Sequence, residues 1–240
     1  MPLVLIRPTG LSIADIAGKT IGFYRDLMNI DSTYRFVKLI SELEPEFKVI
    51  DVLNDKAIEM LSKEILHQNV HNLRTIYEVA EPSVYSGKDS SISFSLETVK
   101  GGLNLITLHF GFSPVRSYIG VILIGDKFVE STQTGMRFLQ AAIDNYDVTF
   151  ACIRIFNRGV NSITRKYKFP IGWINYFPDD SSNIVPTGIN DVVFEKTETG
   201  TFVVVSMESL NLDEENIEAY KSKVLDIMKM IAEIDPSYVR

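Results

Sequence analysis

The sequence predicts an α+β fold: a mostly antiparallel central sheet flanked by helices, with a long C-terminal helix. Three observations predict it. Three strand-like runs, Ser91–Val99, Leu103–Phe112 and Ser117–Ile124, are separated by short turn segments, the pattern of an antiparallel meander. A hairpin signal comes later, Val192–Thr197 and Thr201–Ser206 around the turn Glu198-Thr199-Gly200. Helical periodicity marks the end of the chain, where Ile217, Tyr220, Val224, Ile227, Met228 and Ile231 recur three or four apart within Leu212–Ile234.

The other elements follow in chain order. Residues 3–6 and 20–24 predict short extended segments. Asp31 or Ser32 is placed to cap a helix over 32–43, with Tyr34, Val37, Leu39, Ile40 and Leu43 near one face, and Pro45 ends it. Residues 47–53 predict a strand. Asn54 or Asp55 then starts a second helix with Ile58, Leu61 and Ile65 inward, weakening at His67–Asn72, where the residues are poor helix formers. A loop rich in Pro, Ser and Gly spans 81–91. In the first meander strand Ile92, Phe94 and Leu96 alternate with serines. A helix over Ser131–Asn145 gathers Met136, Leu139, Ala142 and Ile143 on one face, and Thr149–Phe156 predicts another strand.

The stretch Lys168–Asp180 holds the single tryptophan, Trp173, between Pro170 and Pro178. Neither proline can donate a ladder hydrogen bond, so the strand they bound is predicted over Ile171–Phe177. Ile171, Trp173, Asn175 and Phe177 alternate with Gly172, Ile174 and Tyr176, and both faces are largely apolar. Such a strand is covered on both sides. Gly172 leaves room beside the indole for close approach of another backbone.

At 240 residues, 45% hydrophobic and 23% charged, the chain has the composition of a globular protein with a sizeable core, and nothing in it forces a second domain. It is read as one domain over 1–240. Net charge is −7 and the isoelectric point about 5.1, which argues against general binding to nucleic acid or anionic membrane and favours a basic partner. The acidity is local. Between Pro178 and Glu218 lie ten acids (Asp179, Asp180, Asp191, Glu195, Glu198, Glu208, Asp213, Glu214, Glu215, Glu218) against the single base Lys196. The rest of the chain is slightly basic, with Arg154, Arg158, Arg165, Lys166 and Lys168 in a run that lacks acids. Asp213, Glu214 and Glu215 complement the dipole at the start of the last helix; the other seven need solvent or a basic partner. Cys152, the one cysteine, lies in an apolar run and is read as a buried, inert thiol. The apolar run after Met1 is too short for a signal peptide and no window is long enough to span a membrane, so a cytoplasmic protein is expected.

Catalytic signals are sparse. Glu64, His67 and His71 share a helical spacing that could serve a metal, but the face lies away from Ile58, Leu61 and Ile65 and lacks a fourth ligand. Residues 120–127, GVILIGDK, imitate a phosphate loop, yet Asp126 precedes the lysine and no Ser or Thr follows it. Glu46 and Lys48, with Asp31 upstream, form the spacing of a metal-dependent nuclease, which leaves a small metal-dependent hydrolase or nuclease as the alternative reading. A scaffold for some other basic protein is a third.

Several phrases resemble the immunity-protein 52 family of bacterial polymorphic toxin systems. The stretch from Gly22 to Leu43 is similar to that family's extended start and amphipathic helix, and ends in Leu43-Glu44-Pro45-Glu46-Phe47. Leu103–Phe112 resembles a central strand, and Gly172-Trp173-Ile174-Asn175-Tyr176 the family's most specific motif, in which Gly172, Trp173 and Tyr176 are structural. Gly200–Val205 and 212–234 resemble its hairpin and closing helix. Arg25-Asp26 stand after Tyr24 where the family usually has Trp-Gly. The resemblance implies a cytoplasmic antidote without enzymatic activity or cofactor. It would block a cognate protein toxin of the type VI secretion kind, a restriction-endonuclease-like nuclease, without touching nucleic acid or membrane itself. A nuclease needs a basic cleft for phosphates, so Asp179, Asp180, Asp191, Glu195, Glu198 and Glu208 are the expected toxin-binding residues.

Overall fold

The structure is a computed structural model that describes residues 2–7, 11–40, 48–76, 78, 80–81, 91–99, 104–111, 117–123, 131–154, 167, 169–180, 185, 188–205 and 214–239. It is an α+β protein. In chain order the strands are β1 Pro2–Ile6, β2 Phe36–Ile40, β3 Ile50–Asp51, β4 Ser91–Thr98, β5 Asn104–Gly111, β6 Ser117–Leu123, β7 Val148–Ile153, β8 Ile174–Pro178, β9 Val193–Lys196 and β10 Gly200–Val204. The helices are α1 Ile13–Met28, α2 Ala57–Thr75, α3 Thr132–Asn145 and α4 Glu214–Ile234. The chain divides into two compact units, one of residues 5–125 and 140–148 and the other of residues 1–4, 126–139 and 149–240.

In the first unit the strands run in the order β3-β2-β4-β5-β6. The meander is antiparallel, with Ile92 opposite Phe110, Phe94 opposite Leu108 and Leu96 opposite Ile106 on its buried face. Phe94 stacks on Phe110, which meets Tyr146, which in turn meets Phe23 edge-on. The core is therefore aromatic and continuous from the sheet into α1.

Helix α1 replaces the extended segment expected over 20–24. Its signal is the capping box at Ser12 and Asp15: the Ser12 Oγ accepts from the Asp15 N–H at 3.1 Å and an Asp15 oxygen from the Ser12 N–H at 3.0 Å. Ile13, Ile16, Ala17, Thr20, Ile21, Tyr24 and Leu27 then recur at helical spacing and are all buried. The helix expected over 32–43 is also overturned. Asp31 does cap, accepting from the Thr33 N–H at 2.8 Å, but it caps a single 3-10 turn, Ser32–Arg35, that leads into β2. Val37 and Leu39 alternate inward, as a strand requires. Residues 13–40 thus run helix then strand, the reverse of the order implied by the immunity-protein resemblance.

Two further expectations need revision here. The strand over 47–53 is reduced to Ile50–Asp51 among the described residues. Helix α2 does not weaken at His67–Asn72 but runs through it, because Asn69 is a buried structural residue. Its side-chain oxygen accepts from the Ser93 N–H at 3.2 Å and its amide donates to the Ile65 carbonyl at 2.9 Å, while Gln68 reaches the Ile40 carbonyl at 3.3 Å. Among the described residues the last β2–β4 rung pairs Ile40 with Ser95, and α2 supplies the hydrogen bond one step further along β4. Leu61, Ile65 and Leu73 face inward, but Ile58 is 39% exposed.

In the second unit the order is β7-β8-β10-β9, antiparallel at each of the pairings β7–β8, β8–β10 and β10–β9. Phe150, Phe169, Phe177 and Tyr238 form its aromatic cluster. The Tyr238 hydroxyl donates to the Phe169 carbonyl at 2.6 Å, tying the end of the chain to the segment before the tryptophan. Along α4, Tyr220, Val224, Ile227, Met228 and Ile231 are buried as their spacing requires. Of the α3 residues in this unit, Phe138 and Leu139 are buried and Met136 is half-covered; of those in the first unit, Ala141 and Ala142 are buried and Ile143 is half-covered.

Candidate functional site

The tryptophan segment is built as a bend followed by a strand. The regular strand starts at Ile174, one residue after Trp173, and ends on Pro178. Before it, the Trp173 N–H donates to the Ile153 carbonyl at 2.7 Å and the Trp173 carbonyl accepts from the Val205 N–H at 2.9 Å. A Cβ at Gly172 would run into the Ile153 carbonyl, so the close approach read from the sequence is real, and its neighbour is backbone. Every residue from Ile171 to Phe177 is buried, and Trp173 is 1% exposed.

Asn175 was missed as more than a strand residue. Fully buried, it accepts from the Gly172 N–H and donates to the Gly172 and Val203 carbonyls. These three bonds hold the bend on one side and β10 on the other. An asparagine two residues after the tryptophan was the available signal, since a buried amide must find partners.

Tyr176 carries the segment toward the surface. Its ring lies 5.2 Å from that of Phe202, and its hydroxyl donates to the Thr199 Oγ1 at 2.9 Å in the β9–β10 turn. Burial raises its pKa above the ordinary tyrosine value, with the Thr199 bond opposing. Gly200 is opposite Pro178, and a side chain there would strike the Phe177 carbonyl and the Tyr176 ring. The Asp179 N–H donates to the Thr199 carbonyl at 3.0 Å. The exit of the tryptophan strand and the tip of the hairpin are therefore locked together.

That lock gathers several of the acids. Asp179 and Asp180 leave β8 beside the tip that carries Glu198, and Asp191 and Glu195 lie on the approach to and along β9; all five are exposed. Lys196 pairs with Asp179, and Lys223 with Asp191 at 3.4 Å. Glu208 lies outside the described residues. Val193 shares the side of β9 that bears Glu195 and is 40% exposed, so an apolar residue lies on the same face as the acid. Most of the basic run 154–168 also lies outside the described residues.

The alternative chemistries are placed as follows. Asp31 is committed to its cap, Lys48 is exposed, and Glu46 lies outside the described residues. Glu64 is half-exposed, and His67 and His71 are exposed along α2. Among the described residues no three His, Cys, Asp or Glu are grouped to hold a metal ion. Residues 120–123 are strand, and the rest of the phosphate-loop imitation lies outside the described residues. Cys152 is buried, and that burial pushes its thiol up to about 12. Among the described residues no helix is long and apolar enough to cross a membrane.

No protein-family model and no curated protein matches the chain. Among solved structures it is similar to the Pseudomonas aeruginosa T6SS protein PA0821, with a TM-score of 0.53 at 5% identity over 99% of this chain and 75% of that one. At that identity the likeness is one of fold.

Proposed function

We propose that this chain is a cytoplasmic immunity protein that binds and neutralises a cognate protein toxin, a nuclease, by presenting its acidic side to the toxin's basic cleft. The observation that carries the reading is the junction of β8 with the β9–β10 hairpin, where Asp179, Asp180, Glu195 and Glu198 are exposed on a tightly pinned scaffold. Acids held by backbone pairing meet a phosphate-binding cleft with little ordering cost. Asp191 is included in the surface, and Glu208 by its place in the same acidic stretch. The fold likeness to a T6SS protein agrees with a toxin of that delivery class. The reading includes no turnover, no cofactor, and no direct contact with nucleic acid or membrane. Expression of the neighbouring open reading frame, with and without this chain, tests it. Growth arrest relieved by co-expression is the expected result; arrest that co-expression leaves unchanged overturns it.

A further inference from the structure

Strand β9 ends its sheet and among the described residues pairs with β10 alone. The Thr197 N–H donates to the Gly200 carbonyl at 2.8 Å, which fixes the phase of the ladder. Counting back from that pair, Glu195 and Val193 exchange backbone bonds with Phe202 and Val204. The N–H and C=O groups of Phe194 and Lys196 consequently point away from β10, toward the side of β9 on which no strand pairs among the described residues. The side chains there are Val193, 40% exposed, half-buried Phe194, exposed Glu195 and exposed Lys196, whose ammonium is held by Asp179. An edge of this kind accepts an added strand, main-chain bonds supplying affinity and alternate side chains specificity.

We infer that the outer edge of β9 captures an extended, basic segment of the partner protein by strand addition. The inference rests on the acidic-surface reading above and names how that surface engages its partner. Bonding to both Phe194 and Lys196 sets one partner residue directly across from Glu195, in the close non-bonded position. There a lysine or arginine is favoured, with Asp191 and Glu198 adding to the field. The residue opposite Phe194 would be apolar. A second copy of this chain fits poorly. The two-fold antiparallel register that uses both outward residues places Glu195 against Glu195 of the other copy at about 4.5 Å between Cα atoms, a destabilising like-charge pair.

The test uses the whole chain and a blocked eight-residue peptide of alternating valine and lysine, with an alternating valine–glutamate peptide as control. Amide exchange at Phe194 and Lys196 is read by NMR. Both should exchange rapidly in the free protein and slow at least about tenfold with millimolar lysine peptide, but not with the glutamate peptide. Phe194→Pro removes an outward N–H without breaking the β10 ladder, and should abolish the slowing at Lys196; Phe194→Ala should keep it. Glu195→Lys, which leaves the backbone intact, should reverse the preference between the peptides and decides the matter if the proline variant fails to fold. Amides already protected in the free protein, equal slowing by both peptides, or slowing that survives Phe194→Pro overturns the inference. So does protection that grows with protein concentration as the sedimenting mass doubles, which would assign the edge to a second copy. No toxin enters this experiment, so its failure is distinct from failure of co-expression to relieve arrest.

Discussion

The side-chain oxygen of Asn175 accepts a hydrogen bond from the Gly172 N–H at 2.6 Å, and its amide returns one to the Gly172 carbonyl at 3.0 Å. A fully buried side chain thus closes the bend that carries Trp173. Asn175→Ala would leave the Gly172 N–H and the Gly172 carbonyl short of a partner in a buried site, and would remove the side-chain bond to the Val203 carbonyl. Each unsatisfied group costs about 1–3 kcal/mol, so the variant should lose at least about 2 kcal/mol in urea unfolding.

Trp173→Ala should cost about 3–5 kcal/mol, because the indole is buried on a segment covered on both sides. The matching measurement is thermal unfolding alongside the co-expression assay. A variant with unchanged melting that fails to protect would move Trp173 from the core to the partner surface.

Two glycines should respond with opposite signs. Gly172→Ala drives a Cβ into the Ile153 backbone and should destabilise by about 1–3 kcal/mol. Gly18 lies inside α1, where among the described residues the nearest atom an added Cβ would meet is the Ile58 Cδ1 at 4.0 Å. Gly18→Ala should therefore stabilise by about 0.5–1 kcal/mol. Urea midpoints of the two variants check both signs.

Stability should fall on the alkaline side. Burial lifts the Cys152 thiol from an ordinary 9.0 to about 12, and raises Tyr24 and Tyr146 above 10.0. The fold holds these groups neutral, so their contribution is complete below the ordinary values and is lost as pH rises through the raised ones. Each adds a slope of about 1.4 kcal/mol per pH unit, beginning near pH 9 for Cys152. Denaturation at pH 8 to 11 should show it, and Cys152→Ala should flatten the first part of the descent.

Association with the proposed toxin should slow as salt is added, and Asp179→Lys with Asp180→Lys should slow it further while melting stays near wild type. The Lys196–Asp179 pair lost in the double variant is exposed on both sides, and such pairs contribute about 0–1 kcal/mol. Stopped-flow association at two ionic strengths is the measurement. Rates indifferent to both salt and reversal would place the interface off the acidic side.

The parts legible in the sequence were those whose pattern is local. Ile92, Phe94 and Leu96 against serines could only be a half-buried strand, and the six apolar residues of α4 recur at one period. The expectations over 20–24 and 32–40 fail because short apolar runs fit two periods. Val37 and Ile40 satisfy helical spacing as readily as Val37 and Leu39 satisfy alternation. Ser12 and Asp15 were the deciding signal for α1. For the acidic surface, composition showed the charge, but its arrangement depends on distant pairings: Gly200 opposite Pro178, Lys196 with Asp179, Lys223 with Asp191. Asn175 was opaque for the same reason, since one of its partners is Val203.

The bond from the Ser93 N–H to Asn69 makes one amide of β4 answer to a helix. Neighbouring strand amides open when the sheet opens, but this one opens when α2 shifts or melts. Local unfolding of that helix therefore does more than bare its own apolar stripe of Leu61, Ile65 and Leu73. It frees the Ser93 amide of β4 in the same event, so a strand position of the meander and the apolar stripe of the helix become exposed together.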